Sequence, residues 1–107
     1  MTYYAHIVDM PLPAELYDAV HREMISRTEG KVDGLLMHVG RRTDTGFQVI
    51  EVWADRESYE RAEREVVAPV IASLASSSPS APPDVPAPHV QEFTPRGLVL
   101  PQGGVVL

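Results

Sequence analysis

Hydrophobic and polar positions follow one another along the chain in a pattern that predicts short strands and two helices. Residues 3–9 are rich in aromatic and β-branched side chains and precede Met-Pro-Leu-Pro, which predicts a first strand and its end. Apolar residues then recur every three or four positions over residues 14–27, which is typical of an amphipathic helix. Pro13 is expected at the first position of this helix, and Gly30 is expected at its end.

Two further strand-like runs, residues 35–42 and 47–53, surround the turn Thr-Asp-Thr-Gly. Such an arrangement predicts an antiparallel hairpin. Asp55 can cap a second helix, because acidic and polar residues follow it and apolar residues then return at helical spacing. Pro69 should kink or divide that second helix.

The C-terminal third of the chain changes character. Residues 76–88 hold five of the ten prolines and predict a semi-rigid loop, and residues 89–94 resemble a last strand. The tail at 95–107 is too apolar for a solvated end, so we expect it to dock on the domain or on a partner subunit. The element order predicts an α+β fold, the ferredoxin-like βαββαβ arrangement with a four-stranded antiparallel sheet and both helices on one face. We therefore predict a single domain over residues 1–107 with its core at about 3–94.

The second face of such a sheet has no helix to cover it. Its candidate residues are Ile50, Val52 and either Ile7 or Val8. An exposed apolar surface of this kind marks an association site. We therefore predict a homodimer that forms through the sheet face and buries on the order of 800 Å² per subunit.

Composition argues against several kinds of partner. The net charge of −6 disfavours the basic surface that nucleic acids require. The chain has no cysteine, which excludes disulfides, thiolate nucleophiles and sulfur-ligated metals. It has neither a signal-peptide pattern nor a run of about 18 apolar residues, so we expect a soluble cytoplasmic protein without a membrane partner. No phosphate-binding glycine motif and no histidine spacing favours a cofactor or metal, and we expect none.

The third strand carries the most suggestive chemistry. Val49, Glu51 and Trp53 alternate and must share one face. If that face lines a pocket, Trp53 offers a flat wall and Glu51 an acid or base whose ionised form is disfavoured by apolar surroundings. The alternative is that Trp53 belongs to the core and Glu51 forms a cross-strand pair.

The direction of His38 depends on the hairpin turn. A loop of two or four residues would place His38 opposite Glu51 and Leu36 opposite Trp53, which makes an acid/base pair. A bulge at Gly46 would shift the register by one residue and send His38 to the other side of the sheet. The sequence permits both.

His21 lies one helical turn after Tyr17, where it can reach a pocket above the sheet or remain half-exposed on the helix edge. His6, on the first strand, is expected to be structural. His89 follows the proline-rich loop and is expected to be exposed.

Three segments resemble a known family. They are Val-Asp-Gly-Leu-Leu-Met-His-Val-Gly at 32–40, Gly-Phe-Gln-Val-Ile-Glu-Val-Trp-Ala-Asp-Arg-Glu-Ser-Tyr at 46–59 and Val-Val-Ala-Pro-Val at 66–70. The sequence resembles the dimeric α/β barrel superfamily, and within it the antibiotic biosynthesis monooxygenase-like branch. The Glu-x-Trp end of the third strand and the acidic, Asp-capped helix entry are the most recognisable features.

This resemblance implies a dimer whose two sheets form a barrel, with a ligand pocket in each subunit between sheet and helices. It implies that the face with Glu51 lines the pocket. Members include oxygenases of aromatic polyketides that use no metal or flavin, quinol-type oxygenases, polyketide cyclases, haem-degrading enzymes and proteins without known activity. In the haem-degrading members a strand Trp works with an Asn and a His. Trp53 matches the first, whereas Ile7 and either Ala62 or Glu63 stand near the other two positions.

We therefore expect an enzyme of secondary metabolism that oxygenates, cyclises or isomerises a small aromatic or polyketide-like substrate without a cofactor. The candidate catalytic residues, which would move a proton, are Glu51, His38 and His21. The residues expected to contact the substrate are Trp53, Tyr17, Val49 and Leu36. The alternative is a non-catalytic homodimer that binds a ligand or serves as an interaction module, and a third hypothesis is a haem-binding protein.

Overall fold

The computed structural model describes residues 2–77, 87–103 and 105–106. The main body consists of β1 (Tyr4–Met10), α1 (Ala14–Thr28), β2 (Leu35–Arg42), β3 (Phe47–Trp53), α2 (Arg56–Ala62), a π-helical turn (Glu63–Val67), α3 (Ala68–Ser77) and β4 (His89–Phe93). The tail forms β5 (Val99–Leu100), a 3₁₀ turn (Pro101–Gly103) and β6 (Val105–Val106), and β5 pairs with β6. Most of the predicted proline-rich loop lies outside the described residues.

The four main strands form one antiparallel sheet in the order β2-β3-β1-β4. Both helical segments cover the same face. Tyr17 of α1 packs on Gly40 of β2, and Tyr59 of α2 stacks on Tyr4 of β1 with ring centroids 5.1 Å apart. This confirms the ferredoxin-like α+β fold.

The β2–β3 hairpin has a four-residue loop. Arg42 pairs with Phe47, and the N–H of Thr43 donates to the carbonyl of Gly46 at 2.9 Å. The register therefore places His38 opposite Glu51, one of the two arrangements that the turn sequence allowed. The expected pairing of Leu36 with Trp53 is wrong, because β2 bulges at that point and Leu35 stands opposite Trp53 instead.

The helices begin and end close to their predicted limits. Pro13 lies just outside α1 as its N-cap, with ψ 139°, and not at its first position. At the other end, Glu29 adopts the left-handed conformation before Gly30, and its N–H donates to the carbonyl of Ile25.

Asp55 caps α2 as predicted, since its Oδ1 accepts the N–H of Ser58 at 2.7 Å. The second helix is divided where Pro69 predicted. A π-helical turn, in which the N–H of Ala68 reaches back to the carbonyl of Glu63, separates α2 from α3 just before the proline.

The two sheet faces differ. Tyr4, Trp53 and Ala62 form a buried cluster on the helix face. On the other face Ile7 stands opposite Ile50, so Ile7 and not Val8 belongs to the uncovered surface. Val52 shares that face but is only 5% exposed, whereas its neighbours Val39 and Phe93 are 45% and 39% exposed. Among the described helices, none has the length and apolar character needed to cross a membrane.

Candidate functional site

A row of polar residues crosses the helix face of the sheet. Glu92 of β4 pairs with His6 of β1, His6 pairs with Glu51 of β3, and Glu51 pairs with His38 of β2. Side chains directly opposite each other on neighbouring strands lie about 5 Å apart at Cβ and can interact. The fold thus lines up two histidines on either side of one carboxylate.

Glu51 is the centre of this row. Its Oε1 accepts hydrogen bonds from His6 Nε2 at 2.9 Å and Trp53 Nε1 at 3.2 Å, and its Oε2 accepts from His38 Nδ1 at 2.6 Å. The Glu51 side chain is 15% exposed, and His6 is almost fully buried. Three N–H groups therefore converge on one shielded carboxylate.

These donors decide the ionisation of Glu51. Burial alone would raise its pKa, but the hydrogen bonds from His38 and His6, together with their electrostatic attraction, outweigh burial and lower the pKa to about 2. The expectation that apolar surroundings disfavour its ionised form is not met. At neutral pH Glu51 is a carboxylate that orients the two imidazoles.

Tyr17 extends the row upward from the sheet to α1. Its hydroxyl lies 2.7 Å from His38 Nε2 and 3.4 Å from His21 Nδ1. Because His38 Nδ1 donates to Glu51, the hydrogen-bond pattern assigns Nε2 as the acceptor of the Tyr17 hydroxyl proton. The rings of His38 and His21 lie nearly parallel, with centroids 5.4 Å apart, and each has one nitrogen near the Tyr17 hydroxyl.

Gly40 makes this position of Tyr17 possible. It follows His38 by two residues and therefore lies on the same face of β2. A Cβ at Gly40 would overlap the ring and hydroxyl of Tyr17. Burial, followed by the negative charges of Glu51 and Asp18, raises the pKa of Tyr17, so its hydroxyl keeps its proton.

A second branch leads from His6 toward β4. His6 Nδ1 lies 3.2 Å from the hydroxyl of Tyr4, which itself donates to Glu92 at 2.7 Å. Arg56 also pairs with Glu92 at 2.7 Å and lies 5.1 Å from the centre of the Tyr4 ring. The edge of Tyr59 faces His6 at a centroid distance of 4.8 Å. Contacts with Tyr4, Glu51 and Tyr59 therefore fix the position of the His6 ring.

The pKa of Glu63, at the start of the π-helical turn, is affected by the same polar row. Burial and the negative charge of Glu51 raise the pKa of Glu63, while the positive charge of His6 acts in the opposite direction. Single π-helical turns frequently occur at functional sites.

The predicted site residues are brought together only in part. Glu51, His38, Tyr17 and His21 form one connected chain. Trp53 contacts this chain but is only 3% exposed, so its ring is part of the core. The two remaining predicted residues contribute less: Val49 pairs with Gly40 on the same face, and Leu36 lies at the bulge.

Sequence reasoning missed His6. The turn between β2 and β3 limits their register to a few alternatives, but β1 and β3 are separated by a whole helix and by β2. No local signal specifies that His6 stands opposite Glu51. Only the central place of β1 beside β3 in the βαββαβ order hints at it.

Two surface depressions lie at the edge of this network. A groove of about 440 Å³ on the side of α1 is lined by Asp18, His21, Arg22 and Ile25. A second depression of about 390 Å³ lies between the β1–α1 loop and the hairpin turn, at residues 11–15 and 42–46. Glu51, His38 and Trp53 line neither, whereas His21 lines the first.

Two histidines and a carboxylate are also the ligands of many non-haem iron sites. Here the two imidazoles donate to different oxygens of Glu51. Within the described parts of the chain, no group of three or more His, Asp or Glu side chains is arranged to hold a metal ion.

No protein-family model matches the sequence, and no curated protein matches it. Solved structures do. A putative antibiotic biosynthesis monooxygenase from Bacteroides thetaiotaomicron is 16% identical with a TM-score of 0.65, over 92% of this chain and 96% of that one. SnoaB, a cofactor-independent oxygenase from Streptomyces nogalater, is 17% identical with a TM-score of 0.55, over 94% and 96%.

A third similar structure is MhuD, a haem degrader from Mycobacterium tuberculosis solved with two haems in its active site. It is 20% identical with a TM-score of 0.53, over 90% of this chain and 98% of that one. Identities this low speak for the fold alone. The chain therefore shares with these structures the ferredoxin-like α+β fold that its element order predicted.

Proposed function

We propose that this protein is a small-molecule enzyme that removes a proton from an aromatic or polyketide-like substrate without a cofactor, leading to oxygenation, cyclisation or isomerisation. The observation that carries the proposal is the chain Glu51–His38–Tyr17, with contacts of 2.6 and 2.7 Å. A carboxylate that fixes the tautomer of a histidine, with a hydroxyl on its other nitrogen, is a common arrangement for proton transfer.

The electrostatics support this assignment. His38 gains a positive charge when its Nε2 accepts a proton, and the adjacent Glu51 carboxylate stabilises that charge. Because the pKa of Glu51 is lowered to about 2, the carboxylate remains ionised throughout. A deprotonated, electron-rich aromatic can donate an electron to oxygen itself, so the protein need supply only a base and shielding from water.

The test is turnover of a panel of hydroxynaphthalenes and naphthohydroquinones, followed by oxygen uptake and product absorbance. Glu51→Gln and His38→Gln should each lower kcat/KM by about 100-fold or more, the usual contribution of a general base. Glu23→Gln and His89→Gln are matched controls, because these side chains are 37% and 80% exposed and make no contact with Glu51, His38 or Tyr17. Unchanged turnover in Glu51→Gln and His38→Gln would show that these two residues do not carry out the proton transfer.

A second candidate function is a ligand-binding or structural homodimer without catalysis. It is favoured by the filled interior, where Tyr4, Trp53 and Tyr59 occupy the space above β1 and β3. Among the described residues, every buried side-chain nitrogen and oxygen has a hydrogen-bond partner. If this second function is correct, the polar row only stabilises the fold. Substitution of Glu51 or His38 would then lower the free energy of unfolding, and the wild type would show no turnover.

Haem binding has weaker support. His21 does line an open groove, which is the condition for that hypothesis, but the groove also carries the charged Asp18 and Arg22. Ile7, near the position where haem degraders have Asn, lies on the opposite sheet face from Trp53. We expect no Soret shift when haem is added, and a shift that disappears in His21→Gln would overturn this expectation.

A further inference from the structure

We propose that the groove beside α1 binds a small phenol or hydroquinone, and that His21 and Tyr17 pass the ligand's proton inward to His38. This inference rests on the proposed function, since it assumes that His38 is the base. It adds where the ligand lies and which two residues connect it to His38 and Glu51.

The groove has the size and lining for such a ligand. Its residues at 18, 21, 22 and 25 fall on one face of α1, since they are three or four positions apart. A volume of about 440 Å³ is within the range of small-molecule sites and suits one or two aromatic rings. His21 offers a flat ring, and Ile25, 45% exposed, offers an apolar contact.

The charges of the groove narrow the ligand class. Arg22 has no hydrogen-bond or ion-pair partner among the described residues, so its guanidinium can pair with a phenolate oxygen. Asp18 lies one helical turn away and can accept a hydrogen bond from a second hydroxyl. A ring with one ionisable and one neutral hydroxyl satisfies both side chains.

The proton path follows the observed contacts. The phenol O–H breaks and its proton moves to His21 Nε2, while the proton on His21 Nδ1 moves to the Tyr17 hydroxyl at 3.4 Å. The proton that Tyr17 already held moves to His38 Nε2 at 2.7 Å. The result is a bound phenolate and a His38 imidazolium paired with the Glu51 carboxylate, so one proton is lost by the ligand and one is gained by His38.

Tyr17 connects the two imidazoles, since no hydrogen bond joins His21 to His38 directly among the described residues. Their rings lie nearly parallel, at an interplanar angle of 10°. The Tyr17 hydroxyl is the group within reach of both. Its raised pKa means that it rests as a neutral hydroxyl, ready to give and receive a proton together.

The probe is 4-nitrophenol, whose anion is yellow, titrated into the full-length protein at a pH where the free probe is mostly neutral. The wild-type protein should bind it and raise its ionised fraction. His21→Gln and Tyr17→Phe should still bind but lose at least tenfold in the ionisation constant of the bound probe. Arg22→Gln should weaken binding at least tenfold. Tyr3→Phe and Arg27→Gln are the controls, because they change the same residue types at positions outside the groove and the proton path. Both should match the wild type.

The outcomes distinguish a failure of the groove and relay from a failure of the proposed function. Amide shifts on probe addition, measured by ¹H–¹⁵N NMR, should centre on residues 18–25, and shifts centred on β3 would overturn the groove assignment. If Glu51→Gln abolishes ionisation while Tyr17→Phe and His21→Gln keep it, the buried base stands and the relay is wrong. If none of these variants changes ionisation, both the relay and the proposed function fail.

Discussion

Glu51 remains ionised although it is buried, because three N–H groups point at its two oxygens. A carboxylate in this setting is a poor proton donor but a good partner for a histidine that becomes charged. The same hydrogen bonds must therefore stabilise the folded chain in a pH-dependent way.

The direction of that dependence follows from the pKa. The folded state holds the pKa of Glu51 at about 2 against 4.5 for an unperturbed glutamate. A lowered pKa contributes stability that is present above the unfolded value and is lost as the pH falls toward the folded value. The full difference corresponds to about 3 kcal/mol.

We predict that the free energy of unfolding of the wild type falls by about 2 kcal/mol more than that of Glu51→Gln between neutral pH and about pH 3. Urea unfolding at a series of pH values measures this difference. Glu60→Gln is the matched control, because Glu60 forms only an exposed pair with Arg56. Parallel pH profiles for the wild type and Glu51→Gln would show that the carboxylate is not held ionised by folding.

At the scale of elements, the turn before β2 is fixed by its packing on α2. Gly34 has φ 84°, and its carbonyl accepts the N–H of Ala54 at 2.7 Å. A Cβ at Gly34 would overlap the buried side chain of Ser58 in α2. This contact sets where β2 begins, and so helps to place His38 in the polar row.

Gly34→Ala and Gly30→Ala form a matched pair, because both glycines have positive φ but a Cβ at Gly30 meets open space. Gly30→Ala should cost about 1 kcal/mol of unfolding free energy through its backbone conformation alone. Gly34→Ala should cost roughly 1–3 kcal/mol more, because Ser58 must move. Urea unfolding of the two variants measures the difference, and equal losses would mean that the turn does not need to pack closely on α2.

Elements were easier to predict than their pairings. The strands at 35–42 and 47–53 match the structure at both ends, because alternation and a tight turn are local signals. The bulge that puts Leu35 opposite Trp53 left no such signal, and the β1–β3 register that brings His6 to Glu51 depends on contacts between distant segments. The site could therefore be predicted along one hairpin but not across the sheet.

At the scale of the whole molecule, the sheet face without a helix presents apolar side chains from all four main strands. Val39, Ile50 and Ile7 form one row across β2, β3 and β1, and Phe93 lies beside them on β4. Val39 and Phe93 are 45% and 39% exposed in the single chain. Covering this face with a second copy would bury on the order of 800 Å² per subunit, a typical area for a specific dimer.

We predict that Val39→Asp weakens self-association, because it places a carboxylate within an apolar contact where it would lose its hydration. Sedimentation at micromolar concentration should show a dimer for the wild type and at least a tenfold larger dissociation constant for the variant. Ile71→Asp is the control, since Ile71 is 51% exposed on α3, away from the sheet face. The net charge of −6 makes copies repel each other, so the experiment belongs at physiological salt, where the repulsion is screened. A wild-type monomer, or equal weakening by both substitutions, would mean that the sheet face is not the contact.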